Sequence, residues 1–277
     1  MKRIIMEALL KDVVYIAKKA GKEILEIYST DDFGVQIKGD DSPLTKADLA
    51  AHDIIVGFLE KNYPAIPSFS EESTDIPFEL RRQWKQCFII DPLDGTKEFI
   101  EKNGDFTVNI GLIENGKCIL GVIYLPVLDI LYFAADGLGA FKQEQDQPAY
   151  KINVRKLRQK NGKNHITVVA SRRHGLDKVK MLCKNFASYD LTSRGSSLKM
   201  CLIAEGSADF YPRLALTAEW DTAAAQAIVE QAGGRIVQLD FSEMTYNQKE
   251  NILNPFFLVL GDPSFNWKNE LVIPETK

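Results

Sequence analysis

The sequence predicts a mixed fold, with α+β character in its first half and α/β character in its second. Three observations support this prediction: two amphipathic helical patterns begin the chain, a series of strands follows them, and strand and helix patterns alternate beyond residue 166. With 277 residues, the chain is long enough for two modest domains that each bury a core of their own.

The N-terminal segment predicts two helices with a short strand between them. Apolar residues recur every three or four positions over residues 4–28, which is the spacing of an amphipathic helix. Residues 33–38 alternate between apolar and polar side chains, as a strand does. A second helical pattern begins after Thr45, and we expect Tyr63-Pro64 to end it because proline cannot continue a helix.

The middle of the chain predicts strands and then a boundary. Strands are predicted near residues 66–70, 86–90, 105–113, 118–125 and 130–135, with a hairpin signal at Asn115-Gly116. Residues 137–163 are mainly polar, and we take them as the boundary between an N-terminal α+β half, residues 1–145, and a C-terminal α/β half, residues 146–277. Beyond it, strands at 166–170, 189–193, 208–211, 235–239 and 256–261 alternate with helices at 175–187, 196–205 and 221–232.

Charge and composition exclude several classes of protein. Lys and Arg number 34 and Asp and Glu 38, so the net charge of −4 argues against a binder of nucleic-acid polymers, although a local basic pocket stays compatible with it. Three histidines and four dispersed cysteines offer little for soft metals or redox chemistry. With no apolar stretch near the ~18 residues of a membrane span, we expect a cytoplasmic protein, with peripheral association at an inner membrane left open.

One segment carries most of the chemical information: Asp91-Pro92-Leu93-Asp94-Gly95-Thr96. It ends an apolar strand, so its two carboxylates have fixed backbones and can converge on one point. Carboxylate oxygens suit a hard cation such as Mg²⁺, and the N–H groups of Gly95 and Thr96 would favour an anion at the start of a helix. The same residue types are also common in surface turns, and a turn is the alternative explanation.

Three further polar groups are weaker signals when each is taken alone. Glu71-Glu72 ends a predicted strand, and adjacent acids are usually solvated. Trp220-Asp221 precedes a predicted helix, and Asp48 lies at the start of another, where aspartate is an ordinary capping residue.

Taken together and in this order, Glu71-Glu72, residues 91–96 and Trp220-Asp221 resemble the inositol monophosphatase superfamily of metal-dependent, lithium-sensitive phosphatases. The resemblance extends from the first helix to Gly233-Gly234. Four segments are similar to one branch in particular, the 3′(2′),5′-bisphosphate nucleotidases of the bacterial CysQ type: residues 97–100, 103–110, 195–199 and 211–213. That branch removes the 3′-phosphate from adenosine 3′,5′-bisphosphate, a by-product of sulfur metabolism, giving AMP and phosphate.

The resemblance implies a fold, a metal site and a set of roles. The fold is a layered α-β-α-β-α sandwich of the sugar-phosphatase type, with the site between the two halves. The implied metal ligands, for two Mg²⁺ ions and an optional third, are Glu71, Asp91, Asp94, Asp221 and the carbonyl oxygen of Leu93. Asp48 and Thr96 are the implied catalytic residues, which orient and deprotonate the attacking water. The implied substrate contacts are Glu71, Leu93, Asp94, Gly95, Thr96, His174, Ser196, Lys199, Arg213 and Asp221.

Several alternatives stay open at this point. The same chemistry could act on an inositol phosphate or a sugar bisphosphate, although Lys199 and Arg213 provide charge for a second phosphate. A non-catalytic nucleotide sensor is a different class. A dinucleotide binder rests only on the α/β alternation, because Gly137-x-Gly139 lacks the third glycine of the dinucleotide-binding motif. Ser196 could be a helix cap, and His174 and Lys199 could be surface residues. We expect a small-molecule nucleotide as partner and a monomer or homodimer.

Overall fold

Two large β-sheets, a separate two-stranded pair and the helices packed on the large sheets make up most of the chain that the structure describes. The structure is a computed structural model, and it describes residues 2–30, 32–39, 43–73, 75–160, 163–170 and 176–273. The helices are α1 (Lys2–Tyr28), α2 (Lys46–Asn62), α3 (Phe78–Arg81), α4 (Thr96–Ile100), α5 (Leu176–Leu182), α6 (Leu198–Ala204), α7 (Ala223–Gln231) and α8 (Trp267–Glu270). A 3₁₀ turn, Glu219–Asp221, lies just before α7.

The first sheet is mainly antiparallel. Before it, β1 (Gln36–Ile37) and β2 (Pro43–Leu44) form a small antiparallel pair. The seven-stranded sheet itself has the spatial order β3 (Ser68–Ser70), β4 (Gln86–Asp94), β5 (Thr107–Glu114), β6 (Lys117–Leu125), β7 (Ile130–Ala135), β8 (Gly139–Glu144) and β9 (Tyr150–Ile152). β3 and β4 are parallel, and each later pair is antiparallel, as expected for neighbours that follow one another along the chain.

The second sheet mixes parallel and antiparallel pairs. Its strands are β10 (Arg158–Lys160), β11 (Lys163–Val169), β12 (Ser188–Thr192), β13 (Phe210–Arg213), β14 (Arg235–Gln238) and β15 (Phe257–Leu260). The spatial order is β10-β11-β13-β15-β14, and β12 also pairs with β11. β11 is parallel to β12 and to β13, which is the arrangement that the alternating strand and helix pattern predicted.

The helices form three layers around the two sheets. α1 and α2 cover one face of the first sheet, and their apolar side chains share one core with it. α6 and α7 lie between the sheets in a second core, and α5 and α8 cover the outer face of the second sheet in a third. This α-β-α-β-α order confirms the predicted sandwich.

One glycine shows how closely α7 approaches the first sheet. A Cβ atom on Gly121 of β6 would lie 2.0 Å from the carbonyl oxygen of Ala224 in α7, so only glycine fits there. This close approach holds the beginning of α7, with Asp221 just before it, against the sheet that carries Asp91 and Asp94.

Most of the predicted elements are present, and the hairpin signal is confirmed. β5 and β6 are antiparallel neighbours, and Asn115 and Gly116 between them both have positive φ, 52° and 80°, as a tight hairpin turn requires. The strand predicted over residues 33–38 is reduced to β1, and the helix predicted to residue 187 ends at Leu182. The short helices α3 and α8 were not predicted.

The polar stretch 137–163, in which no strand was predicted, is the part of the chain where most strands were missed. It contains β8, β9 and β10, whose many polar residues lie on strands with exposed or half-buried side chains. Such strands give little apolar alternation, so the sequence pattern does not reveal them. β8 and β9 pair with each other in the first sheet, and β10 belongs to the second. The division into halves at residue 145 stays a prediction.

Membrane insertion by a helix finds no support in the described ranges. None of the helices there combines the length with the apolar character that crossing a bilayer requires.

Candidate active site

Three carboxylates meet between the end of β4 and the beginning of α7. Asp91 and Asp94 belong to the last part of β4, and Asp221 ends the 3₁₀ turn before α7. Each offers one carboxylate oxygen, and these three oxygens all lie within 4.8 Å of one another. The first sheet and the α7 layer therefore both contribute to one acidic cluster, as the sequence predicted for these residues.

The backbone at the end of β4 explains how Asp91 and Asp94 can face the same point. The pairing of β4 with β5 shifts register between them, because Pro92 has no N–H to give to the strand ladder. The N–H of Leu93 instead donates to Oδ1 of Asp91 at 3.1 Å. Gly95 then turns the chain into α4 with φ of 98°, a conformation that favours glycine.

Burial and mutual repulsion raise the pKa of two of these acids. The pKa of Asp91 lies well above its usual range, because burial withdraws water and because Glu71, Asp94 and Asp221 are close. Burial and then the Asp94 charge raise the pKa of Asp221 to about 8. A cation between these carboxylates would relieve the repulsion, and an all-oxygen donor set suits a hard divalent ion. The residues present therefore fit the magnesium site that the resemblance implies.

Glu71 lies just after β3 and is held by a lysine that was not predicted. Nζ of Lys38 lies 2.8 Å from Oε1 of Glu71 and 2.7 Å from Oε1 of Glu72. Burial raises the pKa of Glu71, and the Lys38 ammonium opposes that shift. Lys38 gave no signal in the sequence, because a single lysine at the end of the strand predicted over residues 33–38 looks like ordinary surface.

Asp48 and Thr96 are in contact. The Thr96 hydroxyl donates to Oδ1 of Asp48 at 3.1 Å and lies 3.4 Å from the carbonyl oxygen of Leu93. Oδ2 of Asp48 accepts from the N–H and the hydroxyl of Thr45, which completes a capping box at the start of α2. Asp48 therefore caps α2 with one oxygen and reaches Thr96 with the other. Burial raises its pKa, and these hydrogen bonds oppose the shift.

Asp94 is supported by residues that were not all predicted. Its Oδ2 atom accepts hydrogen bonds from Ser196 and Ser197 before α6 and from Asn109 on β5. Thr107 and Asn109 are buried polar residues on a strand whose other residues are almost all apolar. A polar residue within an apolar strand pattern is informative, and this signal in the sequence could have revealed Asn109, which was not predicted as a site residue.

A cleft of about 380 Å³ opens beside the acidic cluster and contains both predicted cations. It is lined by Lys97, Glu98, Glu101, Asn103, Asp105, Ser193, Arg194, Gly195, Lys199 and Arg213. Lys199 donates to the carbonyl oxygen of Ser196 at 2.9 Å, and burial lowers its pKa. Arg213 donates to the carbonyl oxygen of Leu216 at 3.0 Å, and its buried Nε has no partner among the described residues. The lining contains four cationic and three acidic side chains, so this cleft of mixed charge provides the local cations that composition left open.

The predicted site residues are thus brought together, with one that cannot be placed. The carboxylates, Thr96 and the two cations surround one region between the layers. Ser196 belongs to it, but its hydroxyl is directed to Asp94. His174 lies outside the described residues.

Comparison with known proteins identifies the family of the chain. The model of the inositol monophosphatase family matches residues 6–268 of the chain. The chain therefore belongs to the inositol monophosphatase family, as the ordered acidic motifs predicted.

Individual relatives narrow the comparison within that family. The chain is 44% identical to the 3′(2′),5′-bisphosphate nucleotidase CysQ of Shigella flexneri, over 91% of this chain and 99% of that protein. It is 38% identical to the CysQ nucleotidase of Haemophilus influenzae, over 95% of this chain and 96% of that protein. The crystal structure of CysQ from Bacteroides thetaiotaomicron is similar with a TM-score of 0.80 and 40% identity, covering 92% of this chain and 97% of the other.

Proposed function

We propose that the chain is a magnesium-dependent 3′(2′),5′-bisphosphate nucleotidase that hydrolyses the 3′-phosphate of adenosine 3′,5′-bisphosphate to AMP and phosphate. One observation carries the proposal: an acidic cluster of Asp91, Asp94 and Asp221 lies next to a cleft that contains Lys199 and Arg213. A substrate with two phosphates needs both features, and the relatives named CysQ nucleotidases support the choice.

The metal ligands in this proposal are Glu71, Asp91, Asp94, Asp221 and the carbonyl oxygen of Leu93. Four carboxylates carry four negative charges, which two Mg²⁺ ions balance before a substrate arrives. When bound, Mg²⁺ stabilises negative charge on the reacting phosphate and acidifies water. A third ion is optional in this proposal, and metal counting at saturating substrate tests for it.

The proposed roles of Asp48 and Thr96 follow from the direction of their hydrogen bond. The Thr96 hydroxyl donates its hydrogen bond to Oδ1 of Asp48. Its lone pairs are therefore free to accept a hydrogen bond from water. Thr96 would orient that water toward the phosphorus atom. As the water attacks, its proton would pass to Oγ1 of Thr96 while the Thr96 proton moves to Asp48, whose raised pKa suits a base.

Recognition of the substrate is proposed to divide between the two sides of the site. The N–H groups of Gly95 and Thr96 would contact the phosphate that is hydrolysed. Lys199 and Arg213 would bind the second phosphate through charge-assisted hydrogen bonds, which are stronger than neutral ones. Ser196 and His174 would complete the contacts to the nucleotide, His174 at the ribose or base.

Phosphate release from a panel of esters tests the proposal. The panel contains adenosine 3′,5′-bisphosphate, its 5′-phosphosulfate analogue, inositol 1-phosphate and fructose 1,6-bisphosphate, each with Mg²⁺ and with EDTA. We expect the adenosine bisphosphates to be the preferred substrates and EDTA to stop the reaction. A preference for the inositol or sugar ester would reject the substrate, and magnesium-dependent binding without phosphate release would make the chain a sensor.

Two further parts of the proposal concern the protein in the cell. We propose a cytoplasmic enzyme that is a monomer or a homodimer. Cell fractionation and analytical ultracentrifugation of the purified protein test these statements separately from the reaction.

A further inference from the structure

A small cluster of hydroxyl and amide groups lies where α6 begins and touches Asp94. It consists of Thr107 and Asn109 on β5 and Ser196 and Ser197 before α6. Thr107 lies directly opposite Asp94 in the pairing of β4 with β5, and Asn109 lies opposite Asp91. Thr107, Asn109 and Ser197 are each at most 1% exposed. Buried polar groups are costly unless they are paired, so the contacts of this cluster define its role.

One oxygen of Asp94 accepts four hydrogen bonds from the cluster. Oδ2 of Asp94 lies 2.8 Å from the backbone nitrogen of Ser197, 2.7 Å from its hydroxyl, and within hydrogen-bond distance of the Ser196 hydroxyl. Nδ2 of Asn109 lies 3.3 Å from the same oxygen. Among the described residues, none donates to Oδ1. The two oxygens of Asp94 therefore have different surroundings: Oδ2 is saturated with donors and Oδ1 is left for another partner.

Ser197 connects the elements that supply the carboxylates. Its hydroxyl accepts from Nδ2 of Asn109 at 2.7 Å, donates to Asp94, and lies 3.1 Å from the carbonyl oxygen of Asp221. A single side chain thus touches β4, β5 and the 3₁₀ turn before α7. Ser196 beside it has a φ of 46°, a left-handed conformation that costs energy for serine and so needs support from its surroundings.

We propose that Ser197 and Asn109 are positioning residues that hold Oδ2 of Asp94 so that Oδ1 binds the metal ion. The proposal rests on the metal site proposed above and adds residues that are not ligands themselves. Hydrogen bonds of this kind orient a metal-binding carboxylate and reduce the ordering that binding requires, and their loss typically costs metal affinity. Neither residue touches the substrate in this role.

Titration of the metal-free protein with Mg²⁺, followed by calorimetry, tests the proposal without measuring turnover. We expect Ser197→Ala and Asn109→Ala each to raise the dissociation constant for Mg²⁺ by about 10- to 100-fold. In the double variant, the dissociation constant should rise by less than the product of the two single fold-changes, because both residues act through one network. The thermal midpoint of each metal-free variant shows whether it folds, and Asn109→Ala tests the same contact if Ser197→Ala is unstable.

A kinetic measurement separates positioning from general structural damage. We expect kcat of Ser197→Ala to be low at limiting Mg²⁺ and to approach the parent value as Mg²⁺ is raised, which a damaged fold would not allow. Thr167→Val is the matched control. Thr167 lies on β11 of the second sheet, and its hydroxyl accepts a hydrogen bond from Arg155 at 2.8 Å. Loss of this hydroxyl should leave the Mg²⁺ affinity unchanged.

Two outcomes would overturn the proposal, and they differ. If Ser197→Ala and Asn109→Ala bind Mg²⁺ like the parent while Asp94→Asn does not, Asp94 binds metal but needs no positioning from this cluster. If Asp94→Asn also binds Mg²⁺ like the parent, the metal site itself is wrong.

Discussion

The acidic cluster and the cationic cleft beside it are held in different ways. The carboxylates accept hydrogen bonds from buried groups of the fold: Asp94 from Ser197, and Asp221 from the backbone N–H of Ala218 at 2.9 Å. The cations instead donate to nearby carbonyl oxygens of their own chain segments, Lys199 to Ser196 and Arg213 to Leu216. The acidic cluster therefore includes a contact between elements far apart in sequence, Asp94 with Ser197, besides the local contact of Asp221 with Ala218. The contacts of the two cations are both local.

This difference indicates what each region still lacks. The acidic cluster has its geometry, but burial and mutual repulsion disfavour the charged forms of its carboxylates and raise the pKa values of Asp91 and Asp221. The cleft has positive groups with donors to spare, since an ammonium carries three and a guanidinium five. Metal ions would balance the charge of the acidic cluster, and phosphate oxygens would accept the remaining hydrogen bonds of the cations in the cleft. The following predictions test this contrast, beginning with the largest effect.

Replacement of Asp94 by asparagine should remove most of the activity and leave the fold intact. Asparagine can turn its carbonyl oxygen to Ser197 and keep those hydrogen bonds, but it then presents an NH₂ group to the cation. We expect kcat/KM to fall by more than the roughly 100-fold that a supporting residue costs. Phosphate release measures the loss, and circular dichroism checks the fold.

The same variant tests whether the cluster is a metal site. In the parent protein, Mg²⁺ should raise the thermal midpoint because it binds the folded state. In Asp94→Asn this shift should be much smaller. Activity like that of the parent would contradict the assignment of Asp94 as a ligand.

Removal of the Thr96 hydroxyl should affect turnover and leave metal binding intact. We expect Thr96→Val to lower kcat by about 10²- to 10⁴-fold, the usual range for a positioned proton acceptor or donor. Thr96→Ser retains the hydroxyl that donates to Asp48 and should recover most of kcat. Stopped assays of phosphate at saturating substrate and Mg²⁺ give these values, and an unchanged kcat in Thr96→Val would remove Thr96 from the reaction.

Much of the fold and of the acidic cluster could be predicted from the sequence. The long helices, the central strands and the hairpin at Asn115-Gly116 all have strong local patterns. The acids were recognisable because Asp91, Asp94 and Asp221 occur in short motifs in a characteristic order. The family that this order indicated is confirmed by the family match. Residues that lie in short, characteristic motifs can be recognised from the sequence before the fold is known.

The supporting residues could not be predicted in the same way. Lys38 reaches Glu71 across 33 positions of sequence, and Ser197 reaches Asp94 across 103, so their contacts exist only after the layers have assembled. The polar strands β8, β9 and β10 were missed for a related reason, since their pairing partners and not their own apolar pattern define them.

Substitution of the two cations should separate binding of the second phosphate from hydrolysis. We expect Lys199→Met and Arg213→Met each to lower kcat/KM for adenosine 3′,5′-bisphosphate by about 10- to 150-fold, the value of a charged hydrogen bond of about 1.5–3 kcal/mol. With adenosine 3′-monophosphate, which lacks the second phosphate, the loss should be much smaller.

A lysine outside the cleft provides the control for this experiment. Lys268 in α8 lies over the ring of Phe241 on the outer side of the second sheet, and Lys268→Met should leave kcat/KM unchanged. Equal losses with the bisphosphate and the monophosphate in Lys199→Met would show that this residue does not recognise the second phosphate.

Salt should produce the smallest effect and should act on one side of the site more than on the other. Raising the ionic strength from about 0.1 M to about 1 M shortens the Debye length from about 10 Å to about 3 Å, which screens exposed charges more than buried ones. Because Lys97 and Arg194 are exposed in the cleft, we expect KM for the bisphosphate to rise a few-fold, with kcat nearly constant at saturating Mg²⁺. In a variant with both Lys97→Met and Arg194→Met, KM should start higher and change less with salt. A salt effect that falls mainly on kcat would instead place the sensitive charges at the acidic cluster, and the contrast between the two regions would be wrong.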